Sequence, residues 1–226
     1  MEKEDVKLRN HLYKQSIFNS IPQSHIDYLQ KLKESGFEPK VIYDIGSCVL
    51  HWTKEAKKIW PKARIICFDA STTVNFLYKD VEYHIGVLSN EDDKEVKFYQ
   101  NDYHQGGNSY YKEIGSFLSP SLFNEQTSSF RKTEKLSSVV KKRNFPLPDL
   151  IKMDVQGSEQ DIIKGSEDII KNSKYFIVEM QKVQYNESAP LVTETLPYIE
   201  SLGFNCVAPL FSDNGPDGDY CFKNKN

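Results

Sequence analysis

The sequence predicts an α/β protein: a mostly parallel sheet with helices on both faces, closed by an antiparallel hairpin at its C-terminal end. Three observations predict it. Short, almost wholly apolar runs alternate with helical patterns, as strands buried on both faces of a parallel sheet require. Two of the runs end on an acid, Val41-Ile42-Tyr43-Asp44 and Arg64-Ile65-Ile66-Cys67-Phe68-Asp69, the first followed by Gly46. Two final apolar runs flank the turn-rich residues 212–218, which is the pattern of a hairpin.

The elements follow in order. Residues 1–20 are polar with scattered apolar positions and read as an arm or short helix. Residues 22–35 read as a helix, because Pro22 suits a first turn and Ile26, Leu29 and Leu32 recur at helical spacing. Gly36 ends it and Pro39 keeps it from resuming. A strand at 41–46, a helix at 52–60 stopped by Pro61, and a second strand at 64–69 come next. Residues 81–88 form a third strand candidate and 94–99 a fourth. Residues 101–131, with Gly106-Gly107, Pro120 and many Ser and Tyr, read as a long loop or lid. Helices are expected at 136–143, 158–171 and 191–202, and strands at 150–155, 175–179, 204–210 and 219–223. The chain therefore divides into an N-terminal helical arm, residues 1–38, and an α/β domain, residues 39–226.

Composition narrows the class. With 38% hydrophobic and 27% charged residues the chain is globular. A net charge of -3 argues against a broad nucleic-acid-binding face, so no nucleic acid partner is expected. None of Cys48, Cys67, Cys206 and Cys221 forms a CxxC pair, so no zinc ribbon is expected. No apolar run approaches the roughly 20 residues of a membrane span, and residues 1–9 lack a signal-like apolar stretch. A reducing, cytoplasmic compartment is the expectation, and no pattern fixes the oligomeric state.

Ligands of parallel sheets bind beyond the carboxyl ends of the strands, so the strand ends carry the candidate site. Asp44-Ile45-Gly46-Ser47 either holds a ligand ammonium or forms an ordinary strand-to-helix turn; Gly46 permits the sharp turn. Asp69 ends the next strand, 25 residues after Asp44. It suits a pair of ribose hydroxyls, or caps the turn at Ser71 and Thr72. The GxGxxG of a dinucleotide site is absent. In Lys152-Met153-Asp154-Val155-Gln156-Gly157-Ser158-Glu159 the strand delivers Asp154 to its carboxyl end, and Glu159 reads as a brace of the loop. Glu179 ends the following strand, as a site residue or a solvated terminus.

Together these runs resemble the FkbM family of methyltransferases. The family's D-V-G-A-N-x-G is similar to Asp44-Ile45-Gly46-Ser47-Cys48-Val49-Leu50, with Leu50 where a second glycine is common. Its F-E-P is similar to Phe68-Asp69-Ala70, and its N-x-A-L-S to Ile85-Gly86-Val87-Leu88-Ser89. The most diagnostic stretch, L-I-K-I-D-V-E-G-x-E-x-x-V-L-x-G, resembles residues 150–165, with Gln156 for the common Glu. The resemblance covers about residues 41–210. It implies a Rossmann-like fold with a seven-stranded sheet and S-adenosylmethionine as methyl donor. It also implies O-methylation of a sugar, glycan or natural-product hydroxyl.

On that reading Asp44, Gly46 and Ser47 hold the methionine end, Asp69 and Ala70 the ribose, and Gly86 and Val87 the adenine. Ser109, beside Asn108 in the loop, binds donor or acceptor when the loop closes. Asp154 sits near the methionine group or the acceptor. Asp154, Glu179 and His104 are the catalytic candidates, His104 because an imidazole titrates near neutrality and its loop can close over the acceptor. His51 is open to either role, and His84, inside a strand, is structural. No spacing compels a metal site. Two other classes stay open: a non-catalytic Rossmann-like interaction module that has lost its cofactor, and, disfavoured by the missing glycines, a nucleotide-dependent oxidoreductase.

Overall fold

The computed structural model describes residues 2–114 and 122–226. Two helices, α1 (Glu2–Phe18) and α2 (Gln23–Glu34), precede β1 (Val41–Ile45), α3 (His51–Ile59), β2 (Arg64–Asp69), β3 (Glu82–Ile85), β4 (Val87–Leu88) and β5 (Glu95–Tyr99). After the loop come β6 (Ser128–Glu134), α4 (Leu136–Arg143), β7 (Leu150–Met153), α5 (Glu159–Gly165), α6 (Glu167–Ile170) and β8 (Tyr175–Gln181). The chain ends in α7 (Val192–Ser201), β9 (Phe204–Asp213) and β10 (Asp217–Asn224).

Seven strands form one sheet in the order β3-β2-β1-β7-β8-β10-β9. The first five pair in parallel, and β10 runs antiparallel to β8 and β9. Strand side chains alternate between faces, and the core divides accordingly. Tyr43, Ile45, Ile66, Phe68, Ile151 and Met153 pack under α4, α5, α6 and α7. Ile42, Ile65, Cys67, Leu150 and Ile177 pack under α1, α2 and α3, against Leu12, Leu29, Trp52 and Ala56. Each fully buried aliphatic or aromatic side chain contributes about 1.5–3 kcal/mol of hydrophobic stabilisation. Alternation also puts Asp44 and Lys152 on the α3 face, beside Ile42 and Leu150, which decides where those charges end up.

The sheet and hairpin match the predicted fold class, while several boundaries move. The expected strand at 81–88 is two strands. Its first half, β3, is the edge of the large sheet; its second half, β4, joins a small sheet ordered β4-β6-β5. Gly86 stands at the break, where a Cβ would lie 2.3 Å from Glu134 Oε2 and 2.7 Å from His84 Nε2. The strand expected at 94–99 is β5, in that small sheet. The predicted loop over 101–131 ends sooner, since Ser128 to Arg131 already pair with Tyr99 to Val96 as part of β6. Residues 115–121, including Pro120, lie outside the described residues. The helix expected at 158–171 breaks at Ser166, whose backbone, φ -149° and ψ 34°, is not helical. The arm at 1–20 is a helix of 17 residues. Among the described residues no helix is long and apolar enough to cross a membrane.

Candidate functional site

A cleft of about 380 Å³ opens beyond the carboxyl ends of the central strands. The turn after β1 forms its floor. Gly46 has φ +80°, and a Cβ there would stand 1.7 Å from the Asp154 carbonyl oxygen, so only glycine lets β1 and β7 converge. The Ser47 hydroxyl donates to the Asp44 carbonyl at 2.6 Å and accepts from the Phe68 N–H at 3.2 Å. Cys48 and Leu50 both adopt left-handed backbone, φ 48° and 68°. The chain then enters α3.

Asp69 is held from both sides. One carboxylate oxygen accepts the Cys48 N–H and the other the Ser71 N–H, each at 2.7 Å. Burial pushes its pKa up to about 6, against the pull of those two amides. Ala70, Gly86, Val87, Leu88, Phe98 and Ile162 line the cleft beside it. The loop closes this end: Gln105, Asn108 and Ser109 line the cleft, and the Ser109 hydroxyl donates to the Gln156 carbonyl at 2.8 Å. Tyr110 and Tyr111 both donate to Asp161 Oδ2, at 2.9 and 2.8 Å, fastening the loop to α5.

A row of charge crosses the middle. Lys152, 5% exposed, places Nζ 3.5 Å from Asp44 Oδ1, 3.3 Å from Asp154 Oδ2 and 3.2 Å from the Gly46 carbonyl. Burial works against its charge, but Asp154, Asp44 and Glu179 outweigh it and hold its pKa above the ordinary lysine value. Asp44 is fully buried and accepts a short hydrogen bond from Thr53. Burial raises its pKa, with Lys152 and Thr53 opposing. Burial likewise opposes the charge of Asp154, yet Lys152 and a hydrogen bond from Glu179 bring its pKa below the usual value. Glu179 moves the other way, well above its usual range, through burial and the carboxylates of Asp154, Asp217 and Asp219. The two carboxyl groups are thus shifted in opposite directions. Gln156 bridges them, with Nε2 donating to Asp154 Oδ1 at 3.2 Å and Glu179 Oε2 at 2.8 Å.

Beyond Glu179 the cleft runs to the hairpin. Asn214 Nδ2 donates to Glu179 Oε1 at 3.0 Å and Asp219 Oδ2 at 3.1 Å. His25 Nε2 reaches the same Asp219 oxygen at 2.8 Å. Among the described residues no three His, Cys, Asp or Glu side chains are grouped to hold a metal ion.

The model of the methyltransferase FkbM domain matches residues 44–206. The chain belongs to the FkbM methyltransferase family. No curated protein matches it. Among solved structures, a putative caffeoyl-CoA O-methyltransferase from Staphylococcus aureus is similar with TM-score 0.51 and 10% identity, over 97% of this chain and 92% of that one. A putative O-methyltransferase from Klebsiella pneumoniae is similar with TM-score 0.50 and 9% identity, over 98% and 90%. Likenesses at that identity speak for the fold, which is Rossmann-like.

S-adenosylmethionine is the methyl donor of FkbM methyltransferases, and this chain's cleft fits it. Each Asp69 oxygen, after accepting one amide, keeps a lone pair for a ribose hydroxyl. Asp154, with 34% of its side chain exposed, offers a negative charge to a cationic ligand. Val87, Leu88 and Phe98 offer apolar surface for a base.

Of the residues singled out in sequence, Gly46, Ser47, Asp69, Ala70, Gly86, Val87, Ser109, Asp154 and Glu179 all line the cleft. Asp44 does not. It sits beneath the floor on the α3 face, where its carboxylate faces Lys152 and Thr53. His104 is exposed and does not line the cleft, while its neighbour Gln105 is buried and does. His51 lines the cleft and its Nε2 lies 2.9 Å from the Gln15 carbonyl. His84 pairs with Glu134 at 2.8 Å. Glu159 braces the turn, accepting from the Val155 and Gly157 amides at 3.0 Å each. Sequence reasoning passed over Lys152, His25, Asn214 and Asp219. Lys152 carried a signal, a lone charge inside the apolar run of β7. His25 carried another, since the buried stripe of α2 is His25, Leu29 and Leu32 rather than one beginning at Ile26.

Proposed function

We propose that the chain is an S-adenosylmethionine-dependent O-methyltransferase acting on a hydroxyl of a sugar, glycan or small natural product. One observation carries the donor half: Asp69 stands at the end of β2 with both oxygens fixed by backbone amides and with lone pairs free toward the cleft. A carboxylate so oriented selects vicinal hydroxyls without having to reorganise. Asp69 and Ala70 hold the ribose, Gly86 and Val87 line the adenine, and Ser109 closes over the site. Gly46 and Ser47 shape the floor under the methionine end, and Asp154 faces its ammonium. Asp44 acts from below, by holding Lys152 in place. When bound, the donor supplies an activated methyl group on a cationic sulfur.

The chain must then align the acceptor oxygen in line with that methyl and take up its proton. Alignment in a closed cleft supplies several kcal/mol of barrier reduction. Glu179, whose pKa is raised by burial and by the neighbouring carboxylates, borders the acceptor as a polar contact. Asp154, ionised and paired with Lys152, is a weak proton acceptor. His104 reaches the acceptor only if its loop moves.

Calorimetric titration with S-adenosylhomocysteine tests the donor half, with NAD as the control. S-adenosylhomocysteine is expected to bind and NAD is not. Asp69→Ala is expected to weaken binding by about 1.5–3 kcal/mol, the worth of hydrogen bonds to a charged group. Unchanged affinity in that variant overturns the ribose assignment.

A further inference from the structure

Two side chains lining the cleft end in buried polar atoms with no hydrogen-bond partner: His25 Nδ1 and Trp52 Nε1. Both residues are more than nine-tenths buried, at 5% and 4% exposure. They stand on α2 and α3, which pack against each other. His25 is bound to Asp219 on β10, four strands from Asp69 on β2, or roughly 19 Å at the usual strand spacing. This end of the cleft is therefore remote from the ribose carboxylate.

The tautomer follows from the contacts. Asp219 Oδ2 lies 2.8 Å from His25 Nε2, and a carboxylate oxygen accepts. In the neutral imidazole the proton is then on Nε2 and the lone pair on Nδ1. Phe211 packs edge-on against the ring at 4.9 Å and fixes its plane. An orphaned acceptor and an orphaned donor, buried on two residues that line one cleft, are each costly in a folded protein. A hydroxyl group donates and accepts, so it is complementary to both.

We propose that this end of the cleft is the acceptor subsite and that His25 is the base for the acceptor hydroxyl. Asp219 is a positioning residue, holding the ring in the Nε2-protonated form, and the Trp52 indole N–H donates to the acceptor oxygen. The inference rests on the methyltransferase reading above. As the acceptor oxygen forms its bond to the methyl carbon, its proton passes to Nδ1. The carbon–sulfur bond breaks, and its electron pair stays on sulfur. Asp219 then faces an imidazolium it stabilises, as the carboxylate of a Ser-His-Asp triad does. The walls also set the charge of the acceptor. The carboxylates of Asp154 and Asp219 line this stretch, and Lys152, the one buried lysine or arginine among the described residues, is already paired. The subsite takes a neutral or amine-bearing hydroxyl compound and repels a carboxylated or phosphorylated one.

The test uses the full chain with labelled S-adenosylmethionine. The acceptors are a panel of neutral polyols and phenols, their amine-bearing analogues, and their carboxylated and phosphorylated analogues. Neutral or amine-bearing compounds are expected to take the label. His25→Gln and His25→Ala are expected to lower turnover about 100-fold or more with S-adenosylhomocysteine affinity unchanged, and added imidazole to restore part of the His25→Ala loss. Nitrogen-15 spectra of histidine-labelled native protein are expected to show His25 protonated on Nε2, and Asp219→Asn to disturb that signature. Preference for the acidic analogues, no transfer to any neutral or amine-bearing compound, full turnover in His25→Gln, no rescue by imidazole, or a proton on Nδ1 would each overturn the proposal. A native chain that binds no S-adenosylhomocysteine defeats the donor reading instead, and the nitrogen spectrum still judges the tautomer.

Discussion

Lys152 shows how a buried charge is tolerated here: it touches Asp44, Asp154 and the Gly46 carbonyl together. Removing one partner of such a cluster leaves the others unpaired. Lys152→Met is expected to destabilise the fold by about 3–5 kcal/mol, read from the denaturant midpoint; a loss under about 1 kcal/mol contradicts the pairing. Gly46→Ala meets backbone rather than a yielding side chain, so a loss of about 3 kcal/mol or more is expected. Glu159 gives a pH signature. Burial lifts its pKa to about 7 from 4.5, against the amides of Val155 and Gly157 and its own. The folded state therefore holds this proton more tightly than the unfolded chain, and stability falls as pH rises between those values. Asp69 and Asp217, both raised by burial to about 6, act in the same direction. Melting curves across that window should decline less steeply for Glu159→Gln, by up to about 3 kcal/mol; parallel slopes would exclude Glu159 as a source. At this scale the sequence was readable where a residue's place in a strand fixes its position, as for Asp69 and Asp154, which both line the cleft. It misled at Asp44, where the two-residue period of β1 turns the carboxylate under the floor.

The elements legible in the sequence are those with a wholly apolar run. β1, β2 and β7 are buried along nearly their whole length and declared themselves. β6 was hidden in the predicted loop because Ser128, Ser129, Phe130 and Lys132 leave it little apolar periodicity; its only fully buried position is Thr133. The division of residues 81–88 was hidden for another reason. The steric demand at Gly86 comes from Glu134 and His84, and Glu134 is distant in sequence. Leu50, by contrast, accounts for a local oddity: its φ of 68° is the conformation that favours glycine. The loop after β5 is held to α5 by the two tyrosine hydroxyls on Asp161. Asp161→Ala should free it, at a cost of about 1–3 kcal/mol. Amide exchange over residues 100–113 should quicken while β1 and β7 stay protected, and S-adenosylhomocysteine should bind more weakly. Unaltered exchange in that loop would show that the tyrosines do not hold it.

Taken whole, the molecule puts its N-terminal helices to structural use. Leu12 is fully buried among the side chains of α2 and α3, and Lys54 reaches back to the Ser16 carbonyl. The helical arm of residues 1–38, proposed as a unit of its own, thus covers the face of the sheet that carries Asp44 and Lys152. Leu12→Ala should cost about 2–5 kcal/mol, the usual range for a cavity in a packed core. A near-neutral substitution, read from the thermal midpoint, would mean that the arm lies on the domain without supporting it. The chain has two tryptophans, in unlike settings. Trp60 is sealed in the core with its indole N–H on the Phe37 carbonyl at 3.0 Å, whereas Trp52 forms part of the cleft wall and its N–H has no partner. Intrinsic fluorescence therefore carries a steady background from one indole and a responsive signal from the other. A ligand filling the cleft can be followed by its effect on emission without any added label.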